Sequence, residues 1–162
     1  KEFTSNDDEV FIVEGFRTPF CKFGTDLANE PAAHLGISPA KATITSSGVD
    51  PSHIDEVIFG CCYQPIDTIG NIARYIGVRS GVPETTPAVT VHRNCASGFE
   101  AITYACDKAA AGKGDVFLVG GVESMSRAPF LFPHQIQQHH RQGCPLNRSR
   151  TSRMPGKVDT RA

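Results

Sequence analysis

The sequence predicts an α/β domain in which a mixed, mostly parallel sheet lies between helices. Four short apolar segments have the length and β-branched content of strands buried on both faces of a sheet, and they cover residues 9–14, 54–59, 87–91 and 115–119. Segments with helical spacing alternate with these strands. Such alternation is typical of a sheet whose strands are mainly parallel.

The first helical segment contains residues that disfavour a helix. It covers residues 31–48, PAAHLGISPAKATITSSG, and includes Gly36 and Pro39. Inside a helix these two residues cost about 1 and about 3 kcal/mol relative to alanine. Residues 43–45 are β-branched and have weak helix preference. We therefore expect a broken or frayed helix with Pro39 near its bend.

The next two helical segments carry clearer signals. Ile72, Tyr75 and Ile76 form a short apolar stripe that Gly81 and Pro83 end. The helix after the third strand has apolar residues at helical spacing and a basic, glycine-containing stop signal. The apolar residues are Phe99, Ile102, Cys106 and Ala109, and the stop signal is Gly112 with Lys108 and Lys113.

The turn HRNCASG joins the third strand to this helix and contains Cys95. Asn94 is one candidate N-cap, and Ser97 with Glu100 as its capping-box partner is another. Either choice places the sulfur at the positive end of the helix, where thiol pKa values fall to about 3.5–7.5. Arg93 would add to this effect if its side chain turned inward. The placement predicts a nucleophile that forms a covalent intermediate, and a buried structural cysteine is the alternative.

Composition excludes several classes of protein. The 162 residues are 40% hydrophobic and 20% charged, which suits one ordinary globular domain. We expect no metal site, since no C-x-x-C or paired Cys/His spacing is present. The longest apolar stretches are strand-sized, so we expect no membrane span. Residues 1–8 are acidic and lack the apolar core of a signal peptide, so we expect a disordered N-terminus and an intracellular, reducing compartment.

Charge is distributed unevenly along the chain. Residues 1–133 hold ten basic and sixteen acidic groups, whereas residues 134–162 hold six basic groups and one acid. The latter segment has almost no apolar periodicity and cannot offset its ordering entropy by burial. We expect a domain over residues 9–133 and a disordered basic tail over 134–162. A nucleic-acid-binding arm is the alternative, but the tail lacks aromatic residues for base stacking, so we expect no nucleic acid partner.

Three motifs in register resemble those of one enzyme family. HRNCASGFEAI, followed by AAAGKGDVFLVGGVESMSRAPFLFP, resembles the acylation region of the thiolases, which make or cleave 3-ketoacyl-CoA thioesters. VFIVEGFRTPF with KFG is similar to the family's opening strand and loop, and GNIAR with GVP is similar to its next marker. The resemblance covers about residues 9–133.

The resemblance implies a thiolase half-domain with a mixed five-stranded sheet, duplicated in the full-length enzyme around a shared helix layer. It implies that Cys95 accepts the acyl group and passes it to coenzyme A or to an acetyl-CoA carbanion. Acyl-CoA is then a substrate, no resident cofactor is needed, and the full-length enzyme is a homo-oligomer. Its expected location is the cytoplasm or, in a eukaryote, the mitochondrion or peroxisome. Met125 is implied as a wall of the acyl pocket, with core packing as the alternative, and Asn71 and Arg74 as interface residues.

The family supplies its acid/base histidines and second cysteine from its C-terminal half. The Gly-His-Pro and Cys-x-Gly-Gly contexts are absent from these residues, and Asn29-Glu30 lies too near the opening strand to fill the Asn-Glu-Ala-Phe role. His92 is interpreted as a packing or surface histidine rather than a base for Cys95. Losing one member of a catalytic set can cost about 10⁴ in rate. The alternative function is therefore an inert truncated thiolase fragment with at most a binding or dimerisation role.

Two further hypotheses come from the nucleophile itself. A condensing enzyme of fatty-acid or polyketide synthesis also uses a strand, a cysteine and a helix, although GGVESMSRAPF fits the thiolases better. A redox-sensing protein needs a resolving cysteine near Cys95. Cys106 lies about three helical turns farther on, which is too far to reach.

Overall fold

The computed structural model describes residues 9–63 and 70–129, which contain a three-stranded parallel sheet and three α-helices. Central strand β1 pairs with β2 on one side and with β3 on the other. This confirms the predicted α/β class, and three of the four predicted strands are present with bounds shifted by one or two residues. The elements are α1 Ala32–Ser47, β1 Glu56–Gly60, α2 Ile72–Arg79, β2 Ala88–Val91, α3 Ser97–Ala110 and β3 Phe117–Gly121, with short 3₁₀ turns at Pro51–His53 and Met125–Arg127.

Strand β1 carries the core because successive side chains point to opposite faces of the sheet. Val57 and Phe59 pack with the apolar side chains of α1 and α2 on one face. Ile58 is fully buried on the other face against Ala101 and Ala105 of α3. The sheet therefore lies between two helical layers, and every residue of β1 is buried.

Helix α1 is continuous through Pro39, so the expectation of a broken or frayed helix was wrong. Its buried face includes Gly36, where an added Cβ would lie 2.4 Å from Ile76 Cδ1 of α2. The glycine thus allows the two helices to approach closely. Burial of this face outweighs the local propensity cost, since most helical stability in proteins comes from tertiary packing. The helix ends at Gly48, whose φ of 68° is left-handed.

Helix α3 is present as predicted, but its large apolar side chains do not form its buried face. Ala101 and Ala105 face the sheet, whereas Phe99 is 69% exposed and Ile102 is 37% exposed. Small residues face the sheet because the helix lies close to it. Apolar spacing therefore identified the helix, but the large apolar residues that carry the spacing do not mark its buried face.

The strand predicted at residues 9–14 is absent, and this prediction was wrong. Val10, Phe11, Ile12 and Val13 are 53–79% exposed and have no regular structure. A strand requires a neighbour that accepts and donates its backbone hydrogen bonds. Within the part of the chain that the structure describes, this run pairs with no strand.

Asp55 joins the starts of β1 and β3. Its Oδ2 atom accepts hydrogen bonds from the backbone N–H groups of Val116, at 3.0 Å, and Asp115, at 2.7 Å. These two bonds, the Val116 bond first, hold the pKa of Asp55 below its ordinary value of 3.8. The ionised form is therefore favoured in the folded state.

Acid should weaken this connection. Because the folded pKa is lowered, the stabilisation by Asp55 is present above 3.8 and is lost as pH falls through the folded value. We expect Asp55→Asn to reduce the loss of unfolding free energy between about pH 6 and about pH 3, measured by urea denaturation. Parallel pH profiles for the parent chain and the variant would contradict this assignment.

The predicted disordered segments at residues 1–8 and 134–162 lie outside the described residues. No helix within residues 9–63 and 70–129 has the length and apolar character needed to cross a membrane.

Candidate active site

A cavity of about 1010 Å³ opens at the carboxyl ends of the three parallel strands. The strands β1, β2 and β3 end at Gly60, Val91 and Gly121, and the residues directly after these ends line the cavity. The N-terminal segment 16–23 lines another side. In open α/β sheets, ligands bind outside the carboxyl ends of the strands, so this cavity is the candidate site.

Cys95 lies in the turn between β2 and α3, where it is exposed and lines this cavity. The N-cap of α3 is Ala96, so Cys95 lies one residue before the cap. Neither Asn94 nor Ser97 occupies the N-cap position that the sequence suggested. Cys95 nevertheless lies next to the start of α3, as predicted. Because Cys95 is exposed, the alternative of a buried cysteine is wrong.

Asn94 and Ser97 build the turn that presents Cys95. Asn94 has a φ of 48°, the one positive value at a non-glycine residue in the described ranges. Ser97 Oγ accepts from the Arg93 backbone N–H at 2.8 Å and donates to the Asn94 carbonyl at 2.6 Å. The hydroxyl therefore bridges the two sides of the turn.

The side chains expected to support the helix start have other partners. The Arg93 guanidinium donates to the Glu100 carboxylate, and the Arg93 side chain is 68% exposed. It does not turn inward toward the sulfur, and Glu100 does not complete a capping box. The two residues form a surface ion pair, for which the typical contribution to stability is about 0–1 kcal/mol.

The left-handed conformation of Asn94 predicts a specific response to substitution. Alanine at this position is expected to cost about 1 kcal/mol, because a Cβ without a compensating polar group disfavours this region. Asn94→Gly should retain stability, since glycine adopts positive φ readily. Guanidinium unfolding of both variants measures the difference. Equal destabilisation by alanine and glycine would contradict a conformational origin.

Two glycines allow the turn to lie directly on the strand ends. A Cβ added at Gly60 would lie 2.1 Å from the Ser97 carbonyl oxygen. A Cβ added at Gly121 would lie 2.7 Å from the Gly98 α-carbon. The start of α3 therefore contacts the backbone of β1 and β3, which fixes the height of Cys95 above the sheet.

The Glu123 carboxylate organises the adjacent wall. Its Oε2 atom accepts from the backbone N–H groups of Cys62, at 2.9 Å, and Tyr63, at 3.1 Å. Cys61 is buried, and burial, with Glu123 and Cys62 nearby, raises the pKa of its thiol to about 12. Cys61 is therefore protonated near neutral pH and is a poor nucleophile. The half-buried Cys62 instead donates through Sγ to the Asn94 carbonyl at 2.7 Å.

The other predicted site residues fall into two groups. Met125 lines the same cavity and is 51% exposed, so it does not pack in the core. Its contact with an acyl group stays a prediction. His92, interpreted as a packing or surface histidine, is exposed and also lines the cavity. That it does not act as a base for Cys95 stays a prediction.

Asn71 and Arg74 bind within the domain and lie outside the cavity walls. Asn71 Oδ1 caps α2 by accepting from the Arg74 backbone N–H at 3.0 Å, and its Nδ2 donates to the Ala88 carbonyl at 3.1 Å. Arg74 donates through its guanidinium to the Thr86 carbonyl at 2.9 Å and to the Glu84 carbonyl. These contacts join α2 to β2 and the loop before it. The interface role stays a prediction.

Comparison with known proteins identifies the family. The model of the thiolase N-terminal domain matches residues 10–154, which is most of the chain. The chain belongs to the thiolase family. This confirms the resemblance carried by the three motifs, and the thiolase match extends beyond the described residues into the segment expected to be a tail.

Individual thiolases support the assignment in sequence and in structure. The chain is 44% identical over 124 residues to a β-ketoadipyl-CoA thiolase of Pseudomonas aeruginosa, covering 76% of this chain and 31% of the relative. It is 40% identical over 121 residues to the human mitochondrial 3-ketoacyl-CoA thiolase, covering 75% and 30%. A thiolase from Ascaris suum in complex with coenzyme A superposes with a TM-score of 0.72 at 33% identity, covering 76% and 32%.

The chain thus spans about a third of the length of the curated thiolases that it matches. Sequence reasoning placed Cys95 and Met125 at this site and missed Cys62 and Glu123. Glu123 lies within the GGVESMS motif, but its bonds cross to a segment 60 residues away. No local pattern in the sequence signals that contact.

Proposed function

We propose that this chain is the acylation half of a thiolase-type acyltransferase that acts on acetyl-CoA and 3-ketoacyl-CoA thioesters, with Cys95 as the acyl-accepting nucleophile. The observation that carries the proposal is the position of Cys95: exposed, on a fixed turn at a helix start, inside the cavity at the carboxyl ends of the strands. Membership of the thiolase family gives this geometry its substrate class.

With acetyl-CoA as the donor, the chemistry is acyl transfer between two sulfur atoms. The Cys95 sulfur attacks the thioester carbonyl carbon, a new C–S bond forms, and the bond to the coenzyme A sulfur breaks. The departing thiolate takes up a proton, and the acyl group remains on the protein as a thioester. Two steps of this kind divide one difficult transfer into two easier ones.

The cavity offers a suitable environment for the acyl group. Met125 supplies a flexible apolar wall, and a thioether side chain adapts to ligands of different shape. The two relatives compared above are named as thiolases of β-ketoadipyl-CoA and 3-ketoacyl-CoA, and the Ascaris suum structure holds coenzyme A. These names support an acyl-CoA substrate without restricting the proposal to fatty-acid oxidation.

Brief exposure to acetyl-CoA, followed by intact mass spectrometry, tests the proposal. We expect one acetyl adduct per chain in the parent protein and none in Cys95→Ser. Cys21→Ser is a matched control, because Cys21 is an exposed cysteine that lines the same cavity. This variant should retain the adduct.

Circular dichroism establishes that each sample is folded. A folded parent chain that forms no adduct would overturn the proposed activity and favour an inert fragment. An adduct that persists in Cys95→Ser would overturn the role of that sulfur.

A further inference from the structure

Cys62 lies beside the turn that carries Cys95. Its Sγ atom contacts the Asn94 carbonyl oxygen at 2.7 Å and Ser97 Oγ at 3.5 Å. The Asn94 carbonyl belongs to the peptide bond that precedes Cys95. Standard bond lengths therefore place the Cys62 sulfur within about 5.5 Å of the Cys95 α-carbon. Both residues line the same cavity.

The strand pairing explains why these two residues meet. Gly60 of β1 is opposite Val91 of β2 in the parallel register. Cys62 lies two residues beyond Gly60 and Cys95 lies four residues beyond Val91, so both follow the same edge of the sheet, on neighbouring strands that lie about 4.8 Å apart. A disulfide requires α-carbons about 4.4–6.8 Å apart. This geometry brings a pair of cysteines within reach through modest side-chain and turn adjustment.

Contacts around Cys62 distinguish it from the adjacent cysteine. Glu123 holds the backbone N–H of Cys62 and directs this half-buried residue into the cavity wall. Cys61 is instead almost fully buried, within the core cluster that includes side chains of α1 and α2. Cys106 lies on α3, outside the cavity lining.

We propose that Cys62 is a resolving cysteine that forms a reversible disulfide with Cys95 when the protein meets a peroxide. Hydrogen peroxide oxidises the Cys95 thiolate to sulfenic acid and is reduced to hydroxide. The Cys62 thiol then attacks that sulfur, the S–S bond forms, and the sulfenic oxygen leaves as water. The consequence for activity rests on the proposed function: a Cys95 held in a disulfide cannot accept an acyl group.

Disulfide mapping of the full chain tests the pair directly. The protein is treated with hydrogen peroxide, free thiols are blocked with N-ethylmaleimide, and an acidic digest is analysed by tandem mass spectrometry. Fragment ions that separate Cys61 from Cys62 are needed, because the two residues are adjacent. We expect Cys62 linked to Cys95, with the linkage removed by dithiothreitol.

Matched variants give the inference its controls. In Cys62→Ser we expect no linkage and further oxidation of Cys95 to sulfinic and sulfonic acids, which dithiothreitol does not reverse. Cys21→Ser and Cys106→Ser should retain the linkage. A dominant bond from Cys95 to another cysteine, or irreversible oxidation of Cys95 in the parent chain, would overturn the inference.

The acetylation assay separates this inference from the proposed function. Peroxide should abolish the acetyl adduct of the parent chain, and dithiothreitol should restore it, whereas Cys62→Ser should not recover. If the disulfide forms in a chain that never accepts acetyl, the thiol pair stands and the proposed activity fails. If acetyl transfer occurs and no disulfide forms, the activity stands and the thiol pair fails.

Discussion

Replacing Gly60 with alanine is expected to destabilise the domain by about 3 kcal/mol, the upper end of the range for overpacked sites. The added Cβ would lie 2.1 Å from the Ser97 carbonyl oxygen and 2.2 Å from its carbon. Both atoms are backbone, so relief requires α3 to move away from β1. That movement displaces the turn with Cys95, and we expect acetylation to be lost as well. Urea unfolding and the acetyl adduct measure the two effects.

Gly15→Ala provides the control for Gly60→Ala. Gly15 has no heavy atom within 4 Å of an added Cβ, so this change should leave both stability and acetylation intact. A Gly60→Ala protein of unchanged stability would contradict the close packing of α3 on the strand end. Lost stability with full acetylation would contradict the claim that this packing positions Cys95.

Replacing Lys108 with methionine is expected to cost about 3 kcal/mol of unfolding free energy. Lys108 of α3 forms an ion pair with Glu56 at the start of β1, and their side chains are 21% and 10% exposed. The hydrogen bond to Glu56 raises the pKa of Lys108, so the lysine is charged at neutral pH. Methionine retains an apolar stem but leaves a largely buried carboxylate without its partner. Chemical denaturation at neutral pH measures the loss.

Two further variants show whether the unpaired carboxylate is the cause. Lys113→Met removes an exposed lysine near the end of α3 and should change stability by no more than about 0.5 kcal/mol. Adding Glu56→Gln to Lys108→Met should recover at least half of the loss, because the buried charge is then absent. A double variant as unstable as Lys108→Met alone would contradict this explanation.

Sequence patterns within short segments were sufficient to predict the three strands and helix α2. Short apolar runs identified three parallel strands, and helical spacing with Gly81 and Pro83 identified α2. The continuity of α1 depends on contacts with α2 that no local propensity encodes. Gly36 has low helix propensity, yet in the fold it allows α1 to pack closely against Ile76.

The strand predicted at residues 9–14 failed for the opposite reason. Its apolar pattern is that of a strand, but strand formation depends on a partner elsewhere in the chain. The outward face of α3 shows the same limit, since Phe99 and Ile102 obey helical spacing without being buried. Periodicity identifies the type of an element, and long-range contacts determine its inward face.

At the candidate site, sequence reasoning placed Cys95 in the cavity and missed the residues around it. Cys95 was identifiable because a strand, a tight turn and a helix follow one another along a short stretch. Cys62 comes to the same turn from 32 residues before Asn94, and Glu123 reaches across 61 residues to hold Cys62. Parallel strand pairing creates both contacts, so they become visible only once the register is known.

The position of the acyl group tests the central claim most directly. The chain is mixed with acetyl-CoA, quenched in acid and digested with pepsin, and the acetylated peptide is located by tandem mass spectrometry. The proposed chemistry predicts a single acetyl group on the Cys95 sulfur that hydroxylamine removes, as expected for a thioester. An acetyl group found instead on Cys21, Cys62 or a lysine, with Cys95 unmodified, would contradict it.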